Sequence, residues 1–288
     1  MRLTIGMAVH GDAQGAWWTL SSLRLHHLQA DLPGVELLVI DDMESPCQDL
    51  IHAAALAKAR YIHRPKGQGP AHAKNTVFEN ARGDYVLLLD SHVMLAPCAV
   101  DHLLHGIVMD TVGQDMWTGP LVNESAEVIA TELLPELRGG MLGIWHTRKT
   151  HEPTYEIEAH GSAFMFMRRE CWPGFSLRFY GFAGEEVYIH EKVRRNGGRV
   201  ICHDALKWVH RFQRFGVPIT YRLTLNDKYR NLLVGAYEMN WAVGQVKDYF
   251  RKRLPEDQAT VVEAEVAAVC PDIWSQDDSS ARRFRVHD

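Results

Sequence analysis

Two apolar runs that each break off in aspartate constrain this chain most: "VELLVIDD" over residues 35 to 42 and "DYVLLLD" over 84 to 90. Neither alternates apolar with polar residues, so a strand built from either must be covered on both faces, as happens inside a parallel sheet. Helix-like segments fall between such strands. "LTIGMAVH" (3 to 10) reads as a first strand, "WWTLSSLRLHHLQ" (17 to 29) as a helix and "LIHAAALAKA" (50 to 59) as a second helix. "RYIHR" reads as a short strand, and "GPAHAKNTVFENA" (69 to 81) as a third helix. "PCAVDHLLHGIVMD" (97 to 110) reads as a fourth, with Pro97 at its start, where a missing N–H costs nothing. The order predicts an α/β fold, a mixed, mostly parallel sheet flanked by helices.

After about residue 115 the alternation gives way to a mixed region. "MWTGPLVN" and "HGSAFMFMRR" (160 to 169) read as strands, and "RGGMLGIWHTRKTHEPTYEIE" between them, rich in Gly, Pro and charge, predicts a long loop. "GFAGEEVYIHEKVRRNGG" (181 to 198) leads from a loop into a helix that stops at Gly197-Gly198. "RVICH" and "KWVHR" are short strands, and the chain from "ITYRLTLNDKYRNLLVGAYEM" onward is helical. We therefore expect a main domain over 1–215 and a helical extension over 216–288 packed on it, with "WSQDDSSARRFRVHD" as a loose tail. Trp17-Trp18 and "FMFM" are expected in the core.

Composition narrows the function classes. With 46% hydrophobic and 23% charged residues among 288, the chain can bury a substantial core. No window is apolar enough for a membrane span, and the N-terminus enters a strand pattern instead of a signal sequence, so a cytoplasmic location is the expectation. The five cysteines are scattered without a C-x-x-C, against a disulfide framework or a cysteine zinc cage. A net charge of -5 argues against bulk affinity for nucleic acid or anionic membranes.

In an open parallel sheet, ligands bind outside the carboxyl ends of the strands. Asp41 and Asp42 should therefore share a cleft with Asp90 and His92. Residues i and i+2 of an extended segment point the same way, so Asp90 and His92 act together while Ser91 faces elsewhere along the strand. One carboxylate and one imidazole suit a divalent ion such as Mn²⁺ (or Mg²⁺) with positions left for phosphate oxygens, and a third ligand must come from afar. Other motifs fail: "GQGPAH" (67 to 72) lacks the third glycine of a dinucleotide fingerprint, and "HEKVR" (190 to 194) lacks the second histidine of a zincin helix.

The blocks "GMAVHGDAQGAWWTLSSL", "LLVIDDMESP", "GPAHAKNTVFENARGDYVLLLDSH", "HGSAFMFMRRECWPGF" and "GFAGEEVYIHEKVRRNGGRV" together resemble, in order and spacing, those of the GT-A glycosyltransferases. The likeness covers residues 3 to 212. It is to family-2-type nucleotide-sugar transferases in general, and the Asp-x-His form with "GEE" resembles the polypeptide N-acetylgalactosaminyltransferases. The resemblance implies a GT-A fold, a UDP-sugar donor and a bound Mn²⁺ (or Mg²⁺). It further implies that Asp42, with Asp41 beside it, holds the uracil or ribose and that Ala8 to His10 flank the base. Lys74, Asn75 and Ser91 would stand by the nucleotide and sugar. Asp90 and His92 match the metal pair, and His210 the histidine that completes it. Glu185 and Glu186 match the acidic position by the sugar and the acceptor hydroxyl, where a carboxylate is needed to accept a proton.

The acceptor stays open among three classes: a saccharide or other small glycan, a hydroxymethylated base in DNA, and a protein hydroxyl. The cations Lys207, Arg211, Arg214, Arg222, Lys228 and Arg230, interleaved with aromatics, and "ARRFR" near the C-terminus are the features that would suit a polyanion. A different class, a non-catalytic sugar-nucleotide or nucleic-acid binding module, would keep the fold without turnover. Whether the anomeric configuration is retained or inverted is equally open.

Overall fold

The computed structural model describes residues 2–28, 32–65, 67–212 and 222–287. The first half builds as its pattern requires: β1 (Leu3–Val9), α1 (Ala13–His26), β2 (Val35–Asp41), α2 (Gln48–Leu56), β3 (Arg60–His63), α3 (Pro70–Asn80) and β4 (Tyr85–Asp90). β1 lies between β2 and β4 and pairs in parallel with both, and β2 pairs in parallel with β3. Side chains of β4 point alternately to opposite faces. Tyr85, Leu87 and Leu89 join a core with α1 residues such as Leu20 and Leu23; Val86 and Leu88 join another with Val77 and Phe78 of α3. Helices thus cover both faces, which is why the β2 and β4 sequences carry no polar alternation.

The second half adds β5 (Val93–Leu95), α4 (Ala99–Val108), β6 (Met116–Thr118), β7 (Leu121–Val122) and β8 (Val128–Ala130). β9 (Glu132–Arg138), β10 (Met141–His146), β11 (Thr154–Glu156), β12 (Phe164–Arg168), α5 (Glu185–Arg195), β13 (Val200–His203) and β14 (Trp208–His210) follow, then α6 (Leu225–Glu238), α7 (Val243–Arg251) and α8 (Glu256–Val269). The main sheet has eight strands in the order β11-β13-β6-β12-β4-β1-β2-β3. It is mixed: β12 runs antiparallel to β4 and β6, and β11 antiparallel to β13. A smaller sheet has the order β5-β14-β7-β8, and its first strand follows β4 after Ser91 and His92.

Four expectations are corrected. The long loop over 138–158 contains strands instead: β9 and β10 form an antiparallel hairpin across Gly139-Gly140, and β11 adds to β13. Charge there serves pairing rather than solvent, because Glu132 takes both Arg148, at 2.7 Å, and His146, at 2.9 Å. Second, the tail expected to be loose is tied down. Leu137 bridges Val286, Trp241 bridges Arg282, and Phe284 is buried against Trp241 with ring centroids 5.1 Å apart. Third, Pro97 stands outside α4, which begins at Ala99 after the short strand β5. Fourth, "FMFM" is fully buried, but Trp17 is 45% exposed because its position on α1 faces away from the sheet.

The boundary expected at 215/216 lies outside the described residues, as does Gln29 at the end of the first helix. α6, α7 and α8 share one hydrophobic core with α3 and α5. No helix among the described residues is long and apolar enough to cross a membrane.

Candidate active site

The register of the sheet gathers the strand ends. Ala8 sits opposite Asp90 and Val9 opposite Asp41, so the segments leaving β1, β2 and β4 emerge side by side. They open into a cavity of about 1260 Å³ whose lining includes Ala8, His10, Asp42, Lys74, Asp90, Ser91, His92, Glu185, Glu186 and His210. Two expected site residues are turned elsewhere. The Asp41 carboxylate accepts from the backbone N–H groups of Met43 and Cys47 and from the Tyr61 hydroxyl, at 3.1, 2.8 and 2.6 Å, holding the turn after β2. Asn75 binds the N–H and C=O of Phe175 and the Trp172 indole, fixing the loop behind α3. Neither lines the cavity.

Asp42 faces inward, held by Arg64 Nη1 at 2.6 Å. Burial raises its pKa, with the Arg64 charge opposing. His10 Nδ1 lies 3.1 Å from the Asp42 carbonyl oxygen. The loop before α3 closes this side: a Cβ on Gly69, whose φ is +106°, would stand 2.2 Å from the Gly181 carbonyl oxygen, so only glycine allows the two loops to meet.

At the floor, Asp90, His92 and His210 each bring one ligand atom within 4.8 Å of the others. The third member arrives through the small sheet: β14 pairs antiparallel with β5 so that His210 stands opposite Val93, and the Arg211 N–H donates to the His92 carbonyl oxygen at 3.0 Å. The imidazoles of His92 and His210 meet edge to face at 4.5 Å, and His210 Nε2 lies 3.7 Å from Asp90 Oδ2. One carboxylate with two imidazoles, partly buried and facing a cavity, is a donor set that fits a divalent first-row ion with coordination positions to spare. His210 Nδ1 is buried with no hydrogen-bond partner among the described residues.

Lys74 reaches into the same floor from α3. Its Nζ lies 3.5 Å from Asp90 Oδ1 and donates to Ser162 Oγ at 2.6 Å. Burial opposes the Lys74 charge, but Asp90 first, then Glu185 and Glu186, outweigh it and raise the lysine pKa. For Asp90, burial is likewise outweighed by Lys74, with His210 and His92 adding, and the carboxyl is held well below the usual range. Glu185 and Glu186 open α5, where the positive end of the helix favours them. Burial raises both pKa values, and for Glu185 the charge of Glu186 comes next.

Sequence reading missed three contributors. Arg64, Ser162 and Asp12 each contact an expected site residue, Asp12 through His92 Nδ1 at 2.7 Å. Only Asp12 carried a local signal, the Asp-x-x-Gly of a helix N-cap. The misread hairpin also reaches the cavity: Trp145 of β10, 41% exposed, lines it and lies over Gly161.

Some cations of the basic segments are paired. Lys207 pairs with Asp204 at 2.8 Å, Arg230 with Glu265 at 3.9 Å while lying over the Tyr180 ring, and Arg282 of "ARRFR" with Glu158 and Glu191. Arg214 and the rest of 213–221 lie outside the described residues.

Residues 5–170 match the profile of glycosyl transferase family 2. Among solved structures, GalNAc-T7 with UDP, GalNAc and Mn²⁺ is similar at a TM-score of 0.66 and 16% identity, over 96% of this chain and 58% of that chain. S. aureus TarS 1-349 is similar at a TM-score of 0.55 and 13% identity, over 94% of this chain and 82% of that one. The chain thus spans little more than half the length of the GalNAc-T7 structure, and at these identities the likeness is one of fold. No curated protein matches the sequence. The matched profile covers more than half of the chain, including β1, β2, β4 and the Asp90/His92 turn, and the protein belongs to glycosyl transferase family 2 and has the GT-A fold.

Proposed function

We propose that the protein transfers a sugar from a UDP-sugar to a hydroxyl of a saccharide or other small glycan, with Mn²⁺ (or Mg²⁺) held by Asp90, His92 and His210. The observation that carries the reading is the convergence of these three residues in one cavity with Asp42 on one wall and Glu185 and Glu186 on another. GalNAc-T7 crystallised with UDP and Mn²⁺, and TarS with UDP-GlcNAc, lend support through the shared fold. When bound, the cation supplies positive charge against the diphosphate as it departs.

The chain's own groups do the rest. Asp42, steadied by Arg64, reads the uridine, and Ala8 and His10 flank the base. Lys74 adds a fixed positive charge beside the diphosphate, preorganised by Asp90 and Ser162. The acceptor oxygen forms a bond to the anomeric carbon as the bond from that carbon to the diphosphate oxygen breaks, and the acceptor proton passes to the Glu185/Glu186 pair. Exposed Trp145 on the cavity wall suits stacking on a sugar ring, which supports a glycan as acceptor.

Purified protein with a panel of UDP-sugars should release UDP slowly in Mn²⁺ and stop with EDTA. Oligosaccharides and hydroxymethylated DNA offered side by side should yield product only with the former. Full turnover by both His92→Ala and His210→Ala would sink the metal assignment, and glycosylated DNA as sole product would replace the acceptor.

A further inference from the structure

Asp12 precedes α1 and is only 1% exposed. One oxygen, Oδ1, accepts from the Gly15 N–H at 3.1 Å and caps the helix. The other, Oδ2, accepts from Ser91 Oγ at 2.8 Å and from His92 Nδ1 at 2.7 Å. An ionised carboxylate has no hydrogen to give, and the first turn of α1 favours negative charge at this position. The hydrogen of that contact therefore sits on His92 Nδ1, which also lies 3.1 Å from Ser91 Oγ, and in the neutral ring this leaves Nε2 as the nitrogen with a lone pair to offer.

We propose that Asp12 is a positioning residue, which fixes His92 as the Nδ1–H tautomer and holds its ring so that Nε2 serves as a cation ligand. The proposal rests on reading Asp90, His92 and His210 as a cation site. A carboxylate behind a ligating imidazole fixes both its tautomer and its orientation. The two imidazoles are unequal in this respect, since His210 Nδ1 has no such partner among the described residues. Gly15 belongs to the same device: a Cβ there would stand 2.3 Å from Asp12 Oδ2 and displace the carboxylate. "HGDAQG" thus braces the first helix against the end of β4.

The test uses the full chain with ¹⁵N-labelled histidine, metal-free, and compares wild type with Asp12→Asn, since asparagine caps a helix about as well as aspartate and preserves the fold. Wild type should show His92 as the Nδ1–H tautomer. In Asp12→Asn the Nε2–H tautomer should appear, and Mn²⁺ affinity, followed by electron paramagnetic resonance titration, should weaken about 10–100-fold. Gly15→Ala, which displaces the carboxylate by a different route, should reproduce both changes. Unaltered His92 tautomer populations in both variants overturn the proposal whatever the metal does, and so does unaltered Mn²⁺ affinity. A wild-type chain that binds no Mn²⁺, yet shows the tautomer change, would defeat the cation reading and leave the orienting contact standing.

Discussion

Lys74 Nζ stands 3.5 Å from Asp90 Oδ1, so the carboxylate proposed as a cation ligand already has a fixed positive neighbour. Replacing Lys74 leaves Asp90 without it. Lys74→Met should destabilise the metal-free chain by about 1–3 kcal/mol, less than a fully buried pair would lose, because 29% of the Asp90 side chain reaches solvent. Removing a like charge should also tighten Mn²⁺ binding while UDP-sugar turnover falls. Urea denaturation in EDTA and a Mn²⁺ titration check the two halves.

Glu185 gives stability a pH dependence of definite sign. Burial and the Glu186 charge push its pKa up to about 8 from an ordinary 4.5. Between those values the folded chain holds a proton that the unfolded chain has released, so stability is fully present below about 4.5 and is lost as pH rises toward about 8. The slope is about 1.4 kcal/mol per pH unit for one proton. Glu185→Gln should flatten that slope in EDTA and raise the melting temperature at pH 8 above wild type. Parallel stability curves for the two proteins would refute the assignment.

Asp42 is joined to Arg64 at 2.6 Å on the cavity wall, a charged contact that fixes its orientation. Loss of one charge-assisted hydrogen bond to uridine is worth about 1.5–3 kcal/mol. Asp42→Asn should therefore raise the donor KM by about 10–100-fold with little change in kcat. Arg64→Ala should move KM in the same direction by freeing Asp42.

Asn75 should behave oppositely. Its amide satisfies both backbone groups of Phe175 and the Trp172 indole, away from the cavity. Asn75→Ala should cost about 2–3 kcal/mol in a denaturant titration through the stranded partners, while the donor KM of the folded enzyme stays at the wild-type value.

How far the sequence reached can be traced through particular residues. The continuous apolar runs of β2 and β4 announced strands covered on both faces, and their closing aspartates announced a cleft at the carboxyl ends. That Asp42, Asp90 and His92 line one cleft was legible for that reason. Asp41 and Asn75 were indistinguishable from their cavity-lining neighbours Asp42 and Lys74, because only the direction of each side chain separates them. The hairpin at 132–146 was illegible because its Gly and charge resemble those of a loop; Glu132 shows that the charge pairs across strands.

By itself the sequence determined the strands β1 to β4 and the helices between them, since apolar periodicity and helix caps act within a few residues. Tertiary structure decided how the distant members are brought together, His210 having been named in the sequence by resemblance only. His210 meets His92 because β14 pairs with β5, and Asp12 reaches His92 because the start of α1 lies against the end of β4. Contacts between residues so far apart along the chain depend on strand register and helix packing, which are settled only when the whole core is buried together.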